Sequence, residues 1–432
     1  MMHHSTRISR IAVQTRRGVI VPLVAVAILL VGSSIALVLD HLWLSTAQSE
    51  LLSTAEGSAL AATRHLLDDE LLRNPAVRKN EDDWQVQRID IARQAAGDVA
   101  RQNQVAGQNM SLDLSETGDV RFGRLVRQKE SNQVMFLETD NRPSTVVVTA
   151  FRNRSRNNPV AILFQELVGE STGDVAARAE ATWSNRIVGI RPQDDLAAPV
   201  MPIAILEKDA SGKQQNWVRQ IEEFQGADHF RYDVDKKSVV LGKDGLPEMT
   251  LEWKLPNAEA KSSASNPTVR LGSGFDPAEA VSRQNYFLLQ LGRADEHNVS
   301  VRQMKAGWES RDLQSQKGEL RLNPQTVDVW GKSQLAQAEL RVLSATVGEC
   351  RIFCLYQPLT QTGFSKLTRI RLTRLVGGRI MSVSQATDRN VRIVVQPSIV
   401  ITRTALLAAA PGDEADCNVP PNPYIYKIHI TQ

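Results

Sequence analysis

The 432-residue sequence predicts an α+β protein: an N-terminal transmembrane helix that continues as a long stalk helix into an α+β domain, followed by a β-rich C-terminal region. Three observations lead to this prediction. An apolar run without charge extends from Val19 to Leu39, a helical repeat of alanine and leucine continues to Leu66, and alternating apolar and polar residues become frequent after Gln102.

The apolar run is long enough to cross a bilayer. About 21 residues at about 1.5 Å of helical rise give roughly 31 Å, and the hydrocarbon core is about 30 Å thick. A cleaved secretory signal would have a shorter apolar stretch of about 7–15 residues. Arg16 and Arg17 precede the run, and Asp40 is the first acidic residue of the chain. This asymmetry predicts a cytoplasmic basic tail at 1–18, a membrane helix at 19–39 and an exported remainder.

Beyond the membrane the helix is expected to continue as a stalk, because small and leucine side chains recur every three or four residues until Leu66. Helical spacing returns from about Glu81 to Gln102. The period then changes to the alternation that is typical of strands. We interpret residues 40–199 as the stalk helix and one α+β domain.

Within that domain the alternation predicts strands at 144–151 and 174–183, and a hairpin with its turn at Glu116–Gly118. The segment Val160–Gly169 is predicted to be a short helix. The following residues, 200–432, form the β-rich C-terminal region.

Turn signals divide the C-terminal region into strands. One hairpin is predicted around Lys243–Gly245, and a second turn at Gly377–Gly378. The segment Asn257–Pro277 is rich in Ser, Asn, Gly and Pro, which predicts a mobile loop near 257–277.

Charge gives no indication of a nucleic-acid partner. The chain has 51 Lys and Arg against 48 Asp and Glu, for a net charge of +3. One local basic face combines Lys366 with Arg369, Arg371 and Arg374. Because no aromatic residues are interleaved with these cations, we interpret the face as a solvated strand surface that resists aggregation.

Three cysteines, Cys350, Cys354 and Cys417, lie in the last quarter of the chain. In an oxidising compartment two of them could form a disulfide. On one straight strand the Cα atoms of Cys350 and Cys354 would be about 13 Å apart, so their pairing requires a turn. Pairing of Cys417 with either one stays open. A zinc site is disfavoured because no histidine is near in sequence and a fourth ligand is missing.

The sequence contains no recognisable catalytic motif. Its seven histidines have no metal-ligand spacing, and it has neither a nucleophile-elbow motif nor a Walker loop. Asp113, Ser115 and Thr117 have the spacing of the metal-binding triplet of von Willebrand factor A domains, but the surrounding alternation predicts a hairpin instead of the end of a buried parallel strand. We therefore predict no enzyme activity, catalytic residue, cofactor, metal or evident small-molecule substrate.

Several motifs of the first half of the chain occur in a recognisable order. Gly18 follows two arginines, Asp40 lies one helical turn before Trp43, and the strand motif "VRFG", the segment "NPVAILF" and the segment "PVMPIA" come later. This order resembles that of TadG-like (TadE/TadG) proteins of the tight-adherence, or Flp, pilus system. The resemblance implies a membrane-anchored accessory or structural component of pilus assembly or related secretion, with a role in cell adhesion. It further implies a single pass through the inner membrane, a periplasmic C-terminal region and protein partners in the assembly apparatus.

The sequence departs from that of a true pilin at one position. Type IV-type pilins and pseudopilins are cut after a glycine and carry a glutamate five residues later, whereas Leu23 is the fifth residue after Gly18. A new amino terminus at Val19 would lack its buried counter-ion, so an uncut signal-anchor is favoured. Two alternatives stay open: a minor pseudopilin processed after Gly18, and a tethered periplasmic enzyme or ligand-binding protein.

Overall fold

A computed structural model describes residues 20–74, 81–128, 131, 133–209, 212, 214–254, 285–292, 298–333, 335–359, 367–387, 390–413 and 417–431. The predicted basic tail with Arg16, Arg17 and Gly18, and Val19 at the start of the membrane helix, lie outside these residues. So do the predicted mobile loop at 257–277 and Lys366. Within the described part, 30% of the chain is helical and 37% is strand, which confirms the α+β class.

The described residues contain five regular helices, and the first is much the longest. The regular helices are α1 (Ile20–His65), α2 (Glu81–Gln102), α3 (Gln165–Val168), α4 (Val299–Ala306) and α5 (Gln337–Ala345). Short segments of other helical types occupy Asp69–Leu72, Arg154–Arg156, Val218–Glu222 and Ser310–Gln316.

The strands are distributed over the rest of the chain. The first eleven are β1 (Gln104–Val105), β2 (Gln108–Asn109), β3 (Val120–Arg127), β4 (Val134–Glu138), β5 (Thr145–Arg152), β6 (Val160–Ala161), β7 (Thr172–Gly173), β8 (Val175–Ser184), β9 (Ile187–Ile190), β10 (Val200–Leu206) and β11 (Phe230–Asp233). The remaining strands are β12 (Ser238–Leu241), β13 (Met249–Lys254), β14 (Tyr286–Leu289), β15 (Leu320–Arg321), β16 (Val327–Lys332), β17 (Cys350–Pro358), β18 (Leu367–Thr387), β19 (Asn390–Pro397), β20 (Val400–Ile401), β21 (Ala405–Leu407) and β22 (Ile425–Ile430).

Helix α1 confirms that the apolar helix continues without a break into the predicted stalk. It runs without interruption for 46 residues. Its side chains are mostly exposed up to Leu39 and then become buried at a helical spacing through Ala47, Leu51 and Ala55. Helix α2 has the predicted bounds.

One sheet has six strands in the order β20, β22, β8, β5, β3 and β4. The apolar runs predicted as strands at 144–151 and 174–183 are β5 and β8 at its centre. Strand β22, from the end of the chain, pairs antiparallel with β8. The domain boundary near residue 199 stays a prediction, although strands from both sides of it share this sheet.

The larger sheet contains a closed ring of five strands. Strand β10 pairs with β14, β14 with β16, β16 with β18, β18 with β17, and β17 with β10. Four pairings are antiparallel and β17 with β10 is parallel. A ring with an odd number of strands cannot alternate in direction throughout, so one parallel pair is required. Strands β19 and β13 extend the sheet from the second half of β18.

Strand β18 corrects the prediction of a turn at Gly377–Gly378. It continues through both glycines for 21 residues. A Cβ on Gly377 would lie 2.3 Å from the carbonyl oxygen of Ser398, and one on Gly378 would lie 2.8 Å from Cγ1 of Val395. These glycines therefore permit close packing inside a strand, which is the other structural use of the residue.

Three shorter elements also differ from the prediction. The hairpin of β11 and β12 turns at residues 234–237, and Asp244 lies after it, where its carboxylate accepts a hydrogen bond from Gln396. Residues 111–119 form a loop, so only the second strand of the predicted hairpin at Glu116–Gly118 exists. The predicted helix at Val160–Gly169 is reduced to the single turn of α3, preceded by strand β6.

The described chain divides into two compact units. Unit 1 contains the described residues up to Ala55, with Ala100–Ser111 and Thr149–Arg178. Unit 2 contains Glu56–Val99, Leu112–Val148 and the described residues from Ala179 onward. Unit 1 holds the apolar half of α1, and unit 2 holds the five-stranded ring.

Candidate membrane anchor and interaction surface

In the part of the chain that the structure describes, one helix is long and apolar enough to cross a membrane, and it is α1. Its apolar half presents exposed leucine, isoleucine and valine side chains on all sides. Leu39, the last apolar residue before the first charge, is also exposed. A helix that is apolar all round is typical of a membrane span, and the described residues leave most of this segment exposed.

Asp40 lies directly after this apolar segment and is held inside unit 1. Its side chain is only 5% exposed, and Oδ1 accepts hydrogen bonds from the backbone N–H groups of Leu163 at 2.9 Å and Phe164 at 3.2 Å. Both donors belong to the segment that precedes α3. The carboxylate therefore connects the end of the apolar segment to a loop that lies more than a hundred residues away in sequence.

Two further contacts fix this loop along α1. The indole Nε1 of Trp43 donates to the carbonyl oxygen of Ala161 at 3.0 Å. A Cβ on Gly173 would lie 2.8 Å from Cδ2 of Leu44, so the glycine permits β7 to approach the helix closely. Strands β6 and β7 pair with each other at this level. We call residues 161–173 the collar loop.

A second hairpin contacts α1 farther from the apolar segment. Strands β1 and β2 are joined by Ala106 and Gly107, both at positive φ, which is the geometry of a tight two-residue turn. The backbone N–H of Ala106 donates to Oε2 of Glu50 at 2.8 Å. Ten residues separate Glu50 from Asp40, which corresponds to about 15 Å of helix.

Arg152 joins the hairpin of β1 and β2 to the segment just before the collar loop. Its side chain is 2% exposed, and its guanidinium donates to the carbonyl oxygens of Val105 and Asn158 and to the side chain of Gln108. Burial lowers the pKa of Arg152, but the group stays charged at neutral pH because a guanidinium ordinarily titrates far above it. Neutral oxygen atoms thus solvate a buried cation.

In unit 2 the arginines of the predicted basic face form ion pairs with acidic residues. Asp328 accepts hydrogen bonds from Arg371 and forms an ion pair with Arg369. Arg374 forms ion pairs with Glu207 at 2.8 Å and Glu222 at 2.7 Å. The described arginines therefore form ion pairs within the protein, and the prediction of a basic strand face is corrected in that respect.

The three cysteines, of which two could pair, are all free in the structure. Cys350 and Cys354 stand on the same strand, β17, which lacks the turn that their pairing would require. Cys354 is fully buried, and burial raises the pKa of both strand cysteines. Their thiols are consequently poor nucleophiles.

The described residues contain no group of three or more His, Cys, Asp or Glu side chains that could hold a metal ion. In the triplet that resembled a metal motif, Asp113 Oδ1 instead accepts a hydrogen bond from the backbone N–H of Ser115. A cavity of about 170 Å³ is lined by Arg374, Tyr424 and the segment Pro420–Pro423. Pockets for small ligands are typically larger, about 300–1,000 Å³, so this cavity does not indicate a substrate.

Strand β4 forms one edge of the six-stranded sheet and is exposed along most of its length. Its sequence, "VMFLE", is apolar at four of five positions. Met135 is 53% and Leu137 59% exposed, and both point to the same face because they are two residues apart. Among the strands that the structure describes, only β3 pairs with it. Edge strands with exposed apolar residues are typical sites of strand addition or protein contact.

Sequence reasoning identified Asp40 and Trp43 but missed the collar loop and the β4 edge. The apolar run "VMFLE" was the available signal for β4. No family model, curated protein or solved structure matches the chain.

Proposed function

We propose that this chain is a membrane-anchored accessory or structural component of Flp pilus assembly or of a related secretion machine. In this proposal α1 crosses the inner membrane once, with the N-terminus in the cytoplasm and the remainder in the periplasm. The exported part acts by binding other proteins. The sequence motifs that resemble TadG-like proteins give the proposal its biological setting.

The exposed edge of β4 is the observation that carries the binding role. Soluble sheets normally protect an edge with charges, proline or a covering segment, because an open edge recruits other strands. Here Met135 and Leu137 remain exposed next to an unpaired edge among the described strands. A partner strand could add its backbone hydrogen bonds to β4 and place apolar side chains beside these two.

The pseudopilin alternative is less favourable. Leu23 takes the place of the carboxylate that a processed amino terminus would need in an apolar filament core. The tethered enzyme alternative has no metal-binding cluster among the described His, Cys, Asp and Glu residues to support it, and the cavity beside Arg374 is small. We therefore assign no catalytic residue.

The experiment that tests the proposal is affinity purification of the full chain from native membranes after brief crosslinking. We compare the wild type with Leu137→Lys and with Leu241→Lys, which changes a leucine that is 79% exposed on β12. Pilus assembly or secretion proteins should be recovered with the wild type and with Leu241→Lys but lost with Leu137→Lys. Recovery of the same proteins with Leu137→Lys would exclude β4 as the binding edge. Intact-mass analysis of the same samples should show an uncut N-terminus, whereas a start at Val19 would favour the pseudopilin.

A further inference from the structure

The collar loop is directed along α1 towards the apolar segment. Ala161, at its beginning, accepts the hydrogen bond of Trp43, and Leu163 and Phe164 donate to Asp40. Three residues of helix separate Trp43 from Asp40, so the loop descends by about 4.5 Å between these contacts. Its return strand, β7, is again at the level of Leu44. The tip of the loop, residues 162–169, is therefore on the side of the apolar segment.

The tip is closed and ordered by its own hydrogen bonds. The N–H of Ile162 donates to the carbonyl oxygen of Ser171 at 3.0 Å, and the N–H of Gly169 donates to that of Gln165 at 2.9 Å. Gly169 has a φ of 79°, which ends α3 in the left-handed conformation that favours glycine. The tip is thus a fixed projection rather than a free end.

The composition of the tip is unusual for an exposed loop. Its sequence, "ILFQELVG", has five large apolar residues and one acidic residue, Glu166. The side chain of Leu163 is 57% exposed and that of Phe164 is 37% exposed. Loops normally expose polar residues to water, so two large apolar side chains at this place need another environment.

We propose that the tip of the collar loop lies in the interfacial layer of the same bilayer that α1 crosses, with Leu163 and Phe164 in contact with lipid. The inference rests on the membrane anchor of the proposed function. The backbone N–H groups of both residues are bonded to Asp40, the first residue after the apolar segment, so the tip adjoins the end of that segment. Lipid headgroups and upper acyl chains begin at that level, and interfacial segments typically bury their apolar side by about 5–10 Å.

A second contact with the membrane would have a mechanical consequence. A single helix can rotate and tilt in a bilayer, and its orientation is set by interfacial anchors and packing. The collar loop adds an apolar contact on one side of α1, and Trp43 adds an interfacial aromatic residue beside it. Together they would fix the rotation of unit 1 about the helix axis.

The test measures membrane depth by spin-label accessibility in the full chain, purified and reconstituted in phosphatidylethanolamine and phosphatidylglycerol vesicles. A nitroxide is attached at Leu163→Cys in a chain that carries Cys350→Ser and Cys417→Ser, while Cys354 is fully buried and stays. Leu29→Cys reports the middle of the apolar segment, and Asn109→Cys reports the exposed hairpin beside Glu50. Collisions are measured with oxygen, which concentrates in lipid, and with a water-soluble nickel chelate.

We expect the label at position 163 to collide with the nickel chelate several-fold less than the label at 109, and to have an oxygen accessibility between those at 109 and 29. If position 29 is in lipid but 163 is as accessible to nickel as 109, the collar-loop proposal fails and the anchor stands. If position 29 is itself in water, the anchor fails and the loop proposal with it. Protection of 163 from both reagents would indicate a protein contact, such as a second copy, and would overturn the assignment to lipid.

Discussion

The carboxylate of Asp40 accepts a hydrogen bond from the backbone N–H of Leu163, 123 residues later in the chain, at 2.9 Å. The same oxygen accepts a second bond from Phe164. The first acidic residue after the apolar segment is therefore a structural residue, and it orders the collar loop. A hydrogen bond to a charged acceptor contributes about 1.5–3 kcal/mol to stability. The loss of this contact is therefore large enough to measure.

Replacing Asp40 should loosen the collar loop without unfolding the protein. In Asp40→Ala both N–H donors lose their acceptor, so hydrogen exchange of amides 162–171 should accelerate about tenfold or more, because about 1.4 kcal/mol corresponds to a factor of ten. Asp40→Asn keeps a neutral acceptor and should have a smaller effect. Exchange mass spectrometry on reconstituted protein measures both. Amides of β18 serve as the internal control, and unchanged exchange of the loop in Asp40→Ala would contradict the assigned role.

Gly377 should not tolerate a side chain. The Cβ of alanine at this position would lie 2.3 Å from the carbonyl oxygen of Ser398 and 3.1 Å from that of Tyr424, and backbone cannot move away cheaply. We expect Gly377→Ala to lower the free energy of unfolding by about 1–3 kcal/mol. Gly57→Ala in α1 is the matched control, because its Cβ would meet only Cγ1 of Val99 at 3.4 Å. That control should be neutral or stabilising by up to about 1 kcal/mol, since alanine favours helix. Equal effects of the two substitutions in urea unfolding would refute the steric argument.

The sequence predictions were correct for elements that depend on local patterns and wrong for those that depend on contacts distant in sequence. Helices α1 and α2 and the strands β5 and β8 are specified by their own periodicity, and each was predicted correctly. The glycine pair in β18 was wrongly predicted as a turn because glycine has two uses, and only the position of Ser398 shows which one applies here. The closure of the five-stranded ring depends on pairings between strands distant in sequence, which no local pattern contains.

The candidate site was predictable only in part. The apolar run and Asp40 are visible in the sequence, so the anchor was expected. The partner of Asp40 is a pair of backbone N–H groups, and a backbone donor has no signature in a sequence. The cations of the predicted basic face were visible, but Asp328, in β16, and Glu207, directly after β10, form ion pairs with them from elsewhere in the chain. Pairing of this kind follows from the fold and could not be predicted before it.

Asp69 should be a major contributor to the stability of unit 2. Its carboxylate accepts hydrogen bonds from the hydroxyl of Ser398 at 3.0 Å and the N–H of Ile399 at 2.6 Å, and it forms an ion pair with Arg379 at 2.9 Å. Removing the carboxylate leaves a largely buried guanidinium without its anion, so Asp69→Ala should cost about 3–5 kcal/mol.

The control for Asp69 is an exposed acidic residue whose arginine partner, itself only 12% exposed, keeps a hydrogen bond to the carbonyl oxygen of Lys305 when the acid is removed. Glu349 pairs with Arg351 and is 49% exposed, so Glu349→Ala should cost less than about 1 kcal/mol. Both variants are compared by the midpoint of urea unfolding. A loss for Asp69→Ala no larger than that for Glu349→Ala would show that the buried pair is not a stabilising contact.

Protonation of His429 should destabilise the fold. Burial and the nearby charge of Lys427 lower the pKa of His429 in the folded protein, and Nε2 is buried without a hydrogen-bond partner in the described structure. The unfolded chain has the ordinary pKa of about 6.5, so it binds the proton first as the pH falls. The contribution to stability is therefore complete above about pH 6.5 and is lost as the pH falls towards the lower folded pKa.

This pH dependence can be isolated by substitution. Burial also lowers the pKa of His65, so the wild type contains at least two such groups. His429→Gln should reduce, but not abolish, the loss of unfolding free energy between pH 7.5 and about pH 5, and adding His65→Gln should reduce it further. Identical pH profiles for the wild type and both variants would show that neither imidazole is coupled to folding.

The three cysteines should be found as thiols in protein purified without reductant. Strand β17 extends through Cys350 and Cys354, and a disulfide needs Cα atoms within about 7 Å, whereas residues four apart on a strand are separated by about 13 Å. A thiol reagent should therefore titrate three groups after denaturation and should not reach Cys354 in the native state, because that side chain is fully buried. A reductant should leave the unfolding midpoint unchanged. Cys354→Ala removes the unreactive thiol and serves as the control for the number of thiols titrated. If only one thiol were titrated in the denatured wild type, Cys417 would be paired with a strand cysteine.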